Sequence, residues 1–262
     1  MSDELVHLSG ERPAWLAGRE KAGIDQSLLR AVVMPRMKIV QKTASQQLLA
    51  AHAPGEIING STGEVFRKPT MVGNKAAWDA TPPLLVTPVL FWREFLVMNS
   101  LGLQPVVLDR SFDEASEIAR IATSQERTRP HPNKDPKKVI KFCDAYNFIF
   151  FLHDPQEAKG SVCLATFIST AVMPARRLAS LIVGRNAPIY AGVYAMSVEQ
   201  RSNDDGEWWS PVFRNAGWVS EELGNQLAEK HSELFAQQDA VRSANASEGA
   251  FEEANTNVST TF

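Results

Sequence analysis

Six cations gather between positions 127 and 141 of this 262-residue chain: Arg127, Arg129, Lys134, Lys137, Lys138 and Lys141, against one acid, Asp135. A local balance of +5 in a chain whose formal net charge is −3 makes a patch suited to anions, since clustered Lys and Arg concentrate negative groups around them. The patch runs into residues 139–152, the most aromatic stretch of the sequence, where Phe142, Tyr146, Phe148 and Phe150 fall on one face of a strand. Lys and Arg neutralise phosphates, and ring faces stack on nucleobases for ~1–3 kcal/mol per base. Trp78, Trp92, Tyr146 and Phe148 are the candidate stacking rings. A solvated Pro-containing loop and core aromatics are the competing reading of the same residues.

A phosphate-cradling loop needs Gly-x-x-x-x-Gly-Lys before Ser or Thr, and Val72-Gly73-Asn74-Lys75 is only a fragment of it. The five histidines, His7, His52, His131, His153 and His231, are isolated, with no His-x-x-x-His pair and no cysteine at ligand spacing, so no metal site is expected. His153-Asp154 resembles half of an acid–base pair but ends a strand before Pro155, where polar residues turn the chain. Cys143 and Cys163 sit inside apolar runs, as small buried hydrophobes do. No catalytic residue, no cofactor and no turnover chemistry are expected, although carboxylates assembled only by folding would escape this reading.

The elements that must position these residues read as mainly β. Arg36 and Lys38 alternate with Met37 and Ile39, predicting a half-buried strand after Pro35. Residues 59–63, Asn-Gly-Ser-Thr-Gly, predict a hairpin between Ile57-Ile58 and Val65-Phe66. Residues 84–98 fit a strand buried on both faces or a helix, with Val86, Thr87, Val89 and Phe91 favouring the strand, and 161–168 and 189–198 read as further strands. Ser111-Phe112-Asp113-Glu114 has capping-box spacing and predicts a helix over 112–122, followed by an exposed loop from 123 to 138. A short helix is expected over 174–183. Leu223, Leu227, His231, Leu234 and Val241 form one stripe of a helix beginning near Ser220.

Hydrophobic residues make up 44% and charged residues 22% of the chain, enough for a sizeable core. Two cysteines, no ~20-residue apolar run and an N-terminus without a signal-peptide pattern point to a cytoplasmic protein that does not enter a membrane. The expected organisation is an N-terminal arm over 1–34, a core over 35–218, a helix over 219–242 and a flexible acidic tail over 243–262. From Glu221 onward eight acids face two cations.

Residues 35–41 (Pro-Arg-Met-Lys-Ile-Val-Gln), Pro54-Gly55, residues 61–64 (Ser-Thr-Gly-Glu), residues 209–213 (Trp-Ser-Pro-Val-Phe), Gly217 and Glu221-Glu222 together resemble the tailed-phage single-stranded DNA-binding protein family. That resemblance implies an OB-like barrel core with helical additions, an α+β chain acting on single-stranded DNA in phage replication and recombination within the host cytoplasm. It also implies that an acidic tail, here Glu248, Glu252, Glu253 and Phe262, contacts replication proteins and competes with DNA, although neutral residues 255–261 separate these acids from Phe262. A virion or assembly component, with the arm and terminal helix joining subunits into a homo-oligomer, is the alternative. A nucleic-acid enzyme is the third reading.

Overall fold

A computed structural model describes residues 34–72, 75–101, 104–130, 139–153, 161–204, 206–239 and 242. The elements are β1 (Arg36–Ile39), α1 (Gln46–Ala51), β2 (Ile57–Asn59), β3 (Val65–Arg67), β4 (Thr70–Val72), β5 (Lys75–Ala77), β6 (Leu84–Leu101), β7 (Gln104–Ser111), α2 (Glu117–Ala122), β8 (Thr128–Pro130), β9 (Val139–His153), β10 (Ser161–Phe167), α3 (Val172–Gly184), β11 (Gly192–Asn203), β12 (Gly206–Trp218) and α4 (Glu221–Ala236). The expected N-terminal arm and acidic tail fall outside the described residues.

The chain is mainly β with helical additions, as its patterning predicts. One mixed sheet has the strand order β12-β11-β6-β9-β10-β1-β2-β3, with β7 beside β6 and β8 beside β9; the β1–β10 contact is parallel and the others antiparallel. The sheet curls into a half-barrel until the chain just past β1 meets β12. There the Gln41 side-chain amide donates to the Trp209 carbonyl (3.0 Å) and accepts from the Trp209 amide (2.9 Å), imitating a strand partner. Lys42 pairs with Glu207 beside it.

Inside the curl lies the aromatic core. Phe148 and Phe150 of β9 stack at 5.5 Å, Phe167 of β10 meets both edge-on, and Phe213 of β12 stacks on Phe150 at 6.2 Å. Each such pair contributes about 0.5–1.5 kcal/mol beyond its buried area. α3 closes this side with Val172, Ala175 and Leu178. Gly55, at φ +94°, passes under the Trp78 indole, where an added Cβ would lie 2.8 Å from the ring.

A β-bulge in β6 decides what faces where. Pro88 opposes Phe150 and Leu90 opposes Ile149, so Val89 is the extra residue. Before it, Leu84 and Val86 join the aromatic core; after it the alternation is reversed, and Leu90 and Trp92 face the opposite side with Ile149 and Leu164. α4 packs on that side through Leu227 and Leu234, and its His231 Nδ1 lies 2.7 Å from the Val89 carbonyl oxygen at the bulge.

The expected helix over 112–122 begins later, at Glu117, with Ser116 Oγ accepting from the Ala119 amide. Ser111 and Asp113 instead accept bonds from the Asp113 and Ala115 amides, and such short polar side chains favour turns over helix. The expected loop over 123–138 contains β8, which pairs with the start of β9 through Thr128↔Lys141 and Pro130↔Val139.

Candidate anion-binding pocket

The side of the sheet away from the aromatic core is only partly covered by α4. Beyond the helix, a pocket of about 280 Å³ opens over β6, β9 and β10. Trp92, Leu96, Met98, Leu164 and Ile168 give it an apolar floor, and among the described residues four cations stand around it: Arg36 and Lys38 from β1, Arg110 from β7, and Arg242 from the segment after α4. The strand alternation that buries Met37 turns Arg36 and Lys38 outward together.

Among the described residues one carboxylate, Glu94, lies in this basic ring, and it is buried. Its Oε2 accepts from the Arg110 guanidinium at 3.0 Å, and its Oε1 accepts from Asn147 Nδ2 at 2.8 Å. Asn147 Oδ1 in turn accepts from the Thr166 hydroxyl at 2.7 Å. The network crosses four neighbouring strands, β7, β6, β9 and β10, and satisfies a charge that would otherwise be costly to bury. Arg242 lies over the Phe112 ring at 5.3 Å and 3.7 Å from Asp239. Among the described residues the lining has four cations against one acid, a formal +3, opposite in sign to the whole chain. A low-dielectric floor strengthens such a field, so anions are the ligands this lining favours.

The predicted basic residues divide into two groups. Arg127, Arg129 and Lys141 stand at the base of the β8–β9 hairpin, where Lys141 is the register partner of Met98, a residue of the pocket floor. Arg127 Nε donates to the Ser124 carbonyl (2.7 Å), Arg129 lies 4.0 Å from Glu126, and Lys141 Nζ donates to Ser169 Oγ (3.3 Å). Lys134, Lys137 and Lys138 lie outside the described residues, as do Glu248, Glu252, Glu253 and Phe262 of the tail.

The rings expected to stack require correction. Trp78, Tyr146 and Phe148 are buried in the aromatic core on the other side of the sheet, where their faces are already taken by neighbouring side chains. Trp92 does line the pocket but is only 3% exposed, too little to offer a face to a base. Hydrophobic burial took these rings, as it takes most strand aromatics.

A second polar cluster sits on the aromatic-core side. Asp144, 3% exposed, accepts from Arg93 Nε (2.7 Å) and Arg93 Nη2 (2.9 Å) and from Arg176 Nη2 (3.1 Å). The hydrogen bond to Asp144 holds Arg93 further into its charged form, and the bond Arg176 makes to the Tyr146 hydroxyl does the same for Arg176. This arrangement ties α3 to the sheet. Burial pushes the Cys143 thiol up and that of Cys163 up to about 12, which leaves neither as a ready nucleophile. His153 is pushed down by burial and shares a 2.8 Å hydrogen bond with Thr87 Oγ1.

Residues 6–241 match the family model described as Pam3 phage gp34-like protein. The chain belongs to that family. No curated protein and no solved structure shows significant similarity to it. Membership makes this a phage-related protein, as the sequence motifs imply, without assigning a ligand. No helix among the described residues is long and apolar enough to cross a membrane.

Arg36, Lys38, Glu94, Asn147 and Arg110 were not singled out as a site from the sequence. The Arg36/Lys38 alternation was legible, as was a charged pair, Arg93-Glu94, inside an apolar run. What brings them together is strand order, in particular the parallel β1–β10 contact between residues more than 120 positions apart.

Proposed function

We propose that this member of the Pam3 phage gp34-like family binds single-stranded DNA largely independently of sequence, in phage replication and recombination within the host cytoplasm. The observation that carries the reading is the convergence of Arg36, Lys38, Arg110 and Arg242 on one apolar-floored pocket, with Arg127, Arg129 and Lys141 at the adjoining hairpin base. Phosphates supply the negative charge such a surface takes up, and a single strand is flexible enough to enter it. A rigid duplex is normally read by a basic helix laid in a groove, and α4 instead begins Glu221-Glu222 and rests on the sheet. The curled sheet takes the place that an OB-like barrel would have in this reading. Phosphate contact, with apolar contact on the pocket floor, replaces ring stacking on Trp78, Tyr146 or Phe148. The tail over 243–262 follows directly on Arg242, so its acids and Phe262 are proposed to contact replication proteins and to oppose DNA at the pocket. A gel-shift series with single- and double-stranded probes at two salt concentrations tests the reading. Salt-sensitive retention of the single strand is expected; absence of any shift at low salt would overturn it.

One observation favours a second reading, a homo-oligomeric virion or assembly component. Val183 is 78% and Trp218 60% exposed, with Arg185 between α3 and β12 lying over the Trp218 ring at 4.4 Å. Large assemblies in sedimentation, combined with no affinity for any oligonucleotide, would favour that role.

A further inference from the structure

The carboxylate in the pocket has no obvious place in a site that only collects phosphates. Glu94 lines the cavity among four cations, and removing it would raise the formal charge of the described lining residues from +3 to +4. Its two oxygens each hold one partner, Arg110 on Oε2 and Asn147 on Oε1. A carboxylate offers about four lone-pair sites, so each oxygen retains capacity for a further donor. Both partners come from neighbouring strands, which fixes the carboxylate and spares a ligand the cost of ordering it. Around it the floor is apolar, and the cavity of about 280 Å³, just under the ~300 Å³ at which ligand pockets usually begin, leaves room for one nucleotide unit at most and not for a length of strand.

Resting on the single-strand reading above, we infer that the pocket takes one nucleotide of the bound strand, its phosphate among the cations and the edge of its base at the Glu94 carboxylate, which selects guanine. The selection follows from donor geometry. Guanine presents N1–H and N2–H side by side, two parallel donors that match the two oxygens of a carboxylate. Adenine and cytosine set their amino group beside an acceptor nitrogen, which would face a carboxylate oxygen, and the single N3–H of thymine lies between two carbonyls. The basic rim then binds any strand, and Glu94 adds a preference at one position along it.

The test uses the full-length protein and three fluorescent probes: a 16-residue oligothymidine, the same strand with one central deoxyguanosine, and the same strand with one central deoxyinosine, which keeps N1–H and lacks the N2 amino group. A bidentate contact of this kind discriminates by roughly 5- to 150-fold. The guanine probe is expected to bind about tenfold tighter than oligothymidine, with inosine recovering only a small part of that gain. The ratio should not change with salt, because the contact neutralises no phosphate. Glu94→Gln should bring the ratio of guanine probe to oligothymidine close to one. If that variant fails to fold, the comparison of guanine with inosine on the unaltered protein decides alone. Equal, salt-sensitive binding of all three probes would overturn the guanine assignment and leave single-strand binding standing, as would a preference that survives Glu94→Gln. Failure to bind any probe at low salt would overturn both.

Discussion

Replacing Asp144 by Ala tests whether the cluster beneath α3 holds the fold together. The carboxylate is buried and accepts three charge-assisted hydrogen bonds, two from Arg93 and one from Arg176. Removing one partner of a buried ion pair costs roughly 3–5 kcal/mol, because the remaining charge is stranded. Two features reduce the figure here. The Arg93 side chain is 24% exposed and keeps Glu114 at 3.2 Å, and the Arg176 side chain, 48% exposed, recovers most of its hydration. An expected loss of about 2–4 kcal/mol follows. That is a large fraction of the 5–15 kcal/mol that separates typical folded and unfolded states. Urea unfolding followed by tryptophan fluorescence would read it as a lower midpoint at unchanged slope. A double variant, Arg93→Met with Asp144→Leu, should recover part of the loss by removing both charges. A decrease below about 1 kcal/mol for Asp144→Ala would refute the claim that this buried carboxylate compensates Arg93.

Four other measurements bear on different parts of the molecule. Lys38→Ala, at an exposed strand position, should flatten the plot of log affinity against log salt for a single-stranded probe by about 0.7, and an unchanged slope would remove Lys38 from the phosphate contacts. Gly55→Ala should destabilise by more than about 1 kcal/mol, because it combines a positive φ with a clash against Trp78 that only a shift of the indole can relieve; a neutral result in thermal melts would show that the ring moves freely. His153, held below its ordinary value of 6.5 by burial, resists a proton that the unfolded chain accepts, so its contribution to stability is present above pH 6.5 and falls as the pH drops below it. Denaturation midpoints of the parent and of His153→Gln should therefore converge toward pH 5, and parallel pH profiles would contradict the assignment. Cys143 and Cys163 should react with a thiol reagent slowly in the native protein and rapidly in denaturant, since burial raises both thiols.

Local patterning in the sequence determined much of this protein: the alternation at Arg36–Ile39, the strand over 139–152 with its rings on one side, and the helix opened by Ser220 with Leu227 and Leu234 inward. These are statements about nearest neighbours along the chain, where side-chain period and capping suffice. The use of the aromatics was not legible in the same way. A ring on a strand serves a core or a ligand depending on what covers its side of the sheet, and α3 covers Tyr146 and Phe148. The helix over 112–122 was misplaced because Asp113 and Ser116 each compete for backbone amides, and only the folded chain shows which one starts the helix. Tertiary structure alone decided the pocket. The bulge at Val89 reverses the alternation of β6, so Trp92 and Glu94 face away from the aromatic core, and the parallel β1–β10 contact carries Arg36 and Lys38 alongside them. Which side a side chain takes is a property of register, and register is set by partners distant in sequence.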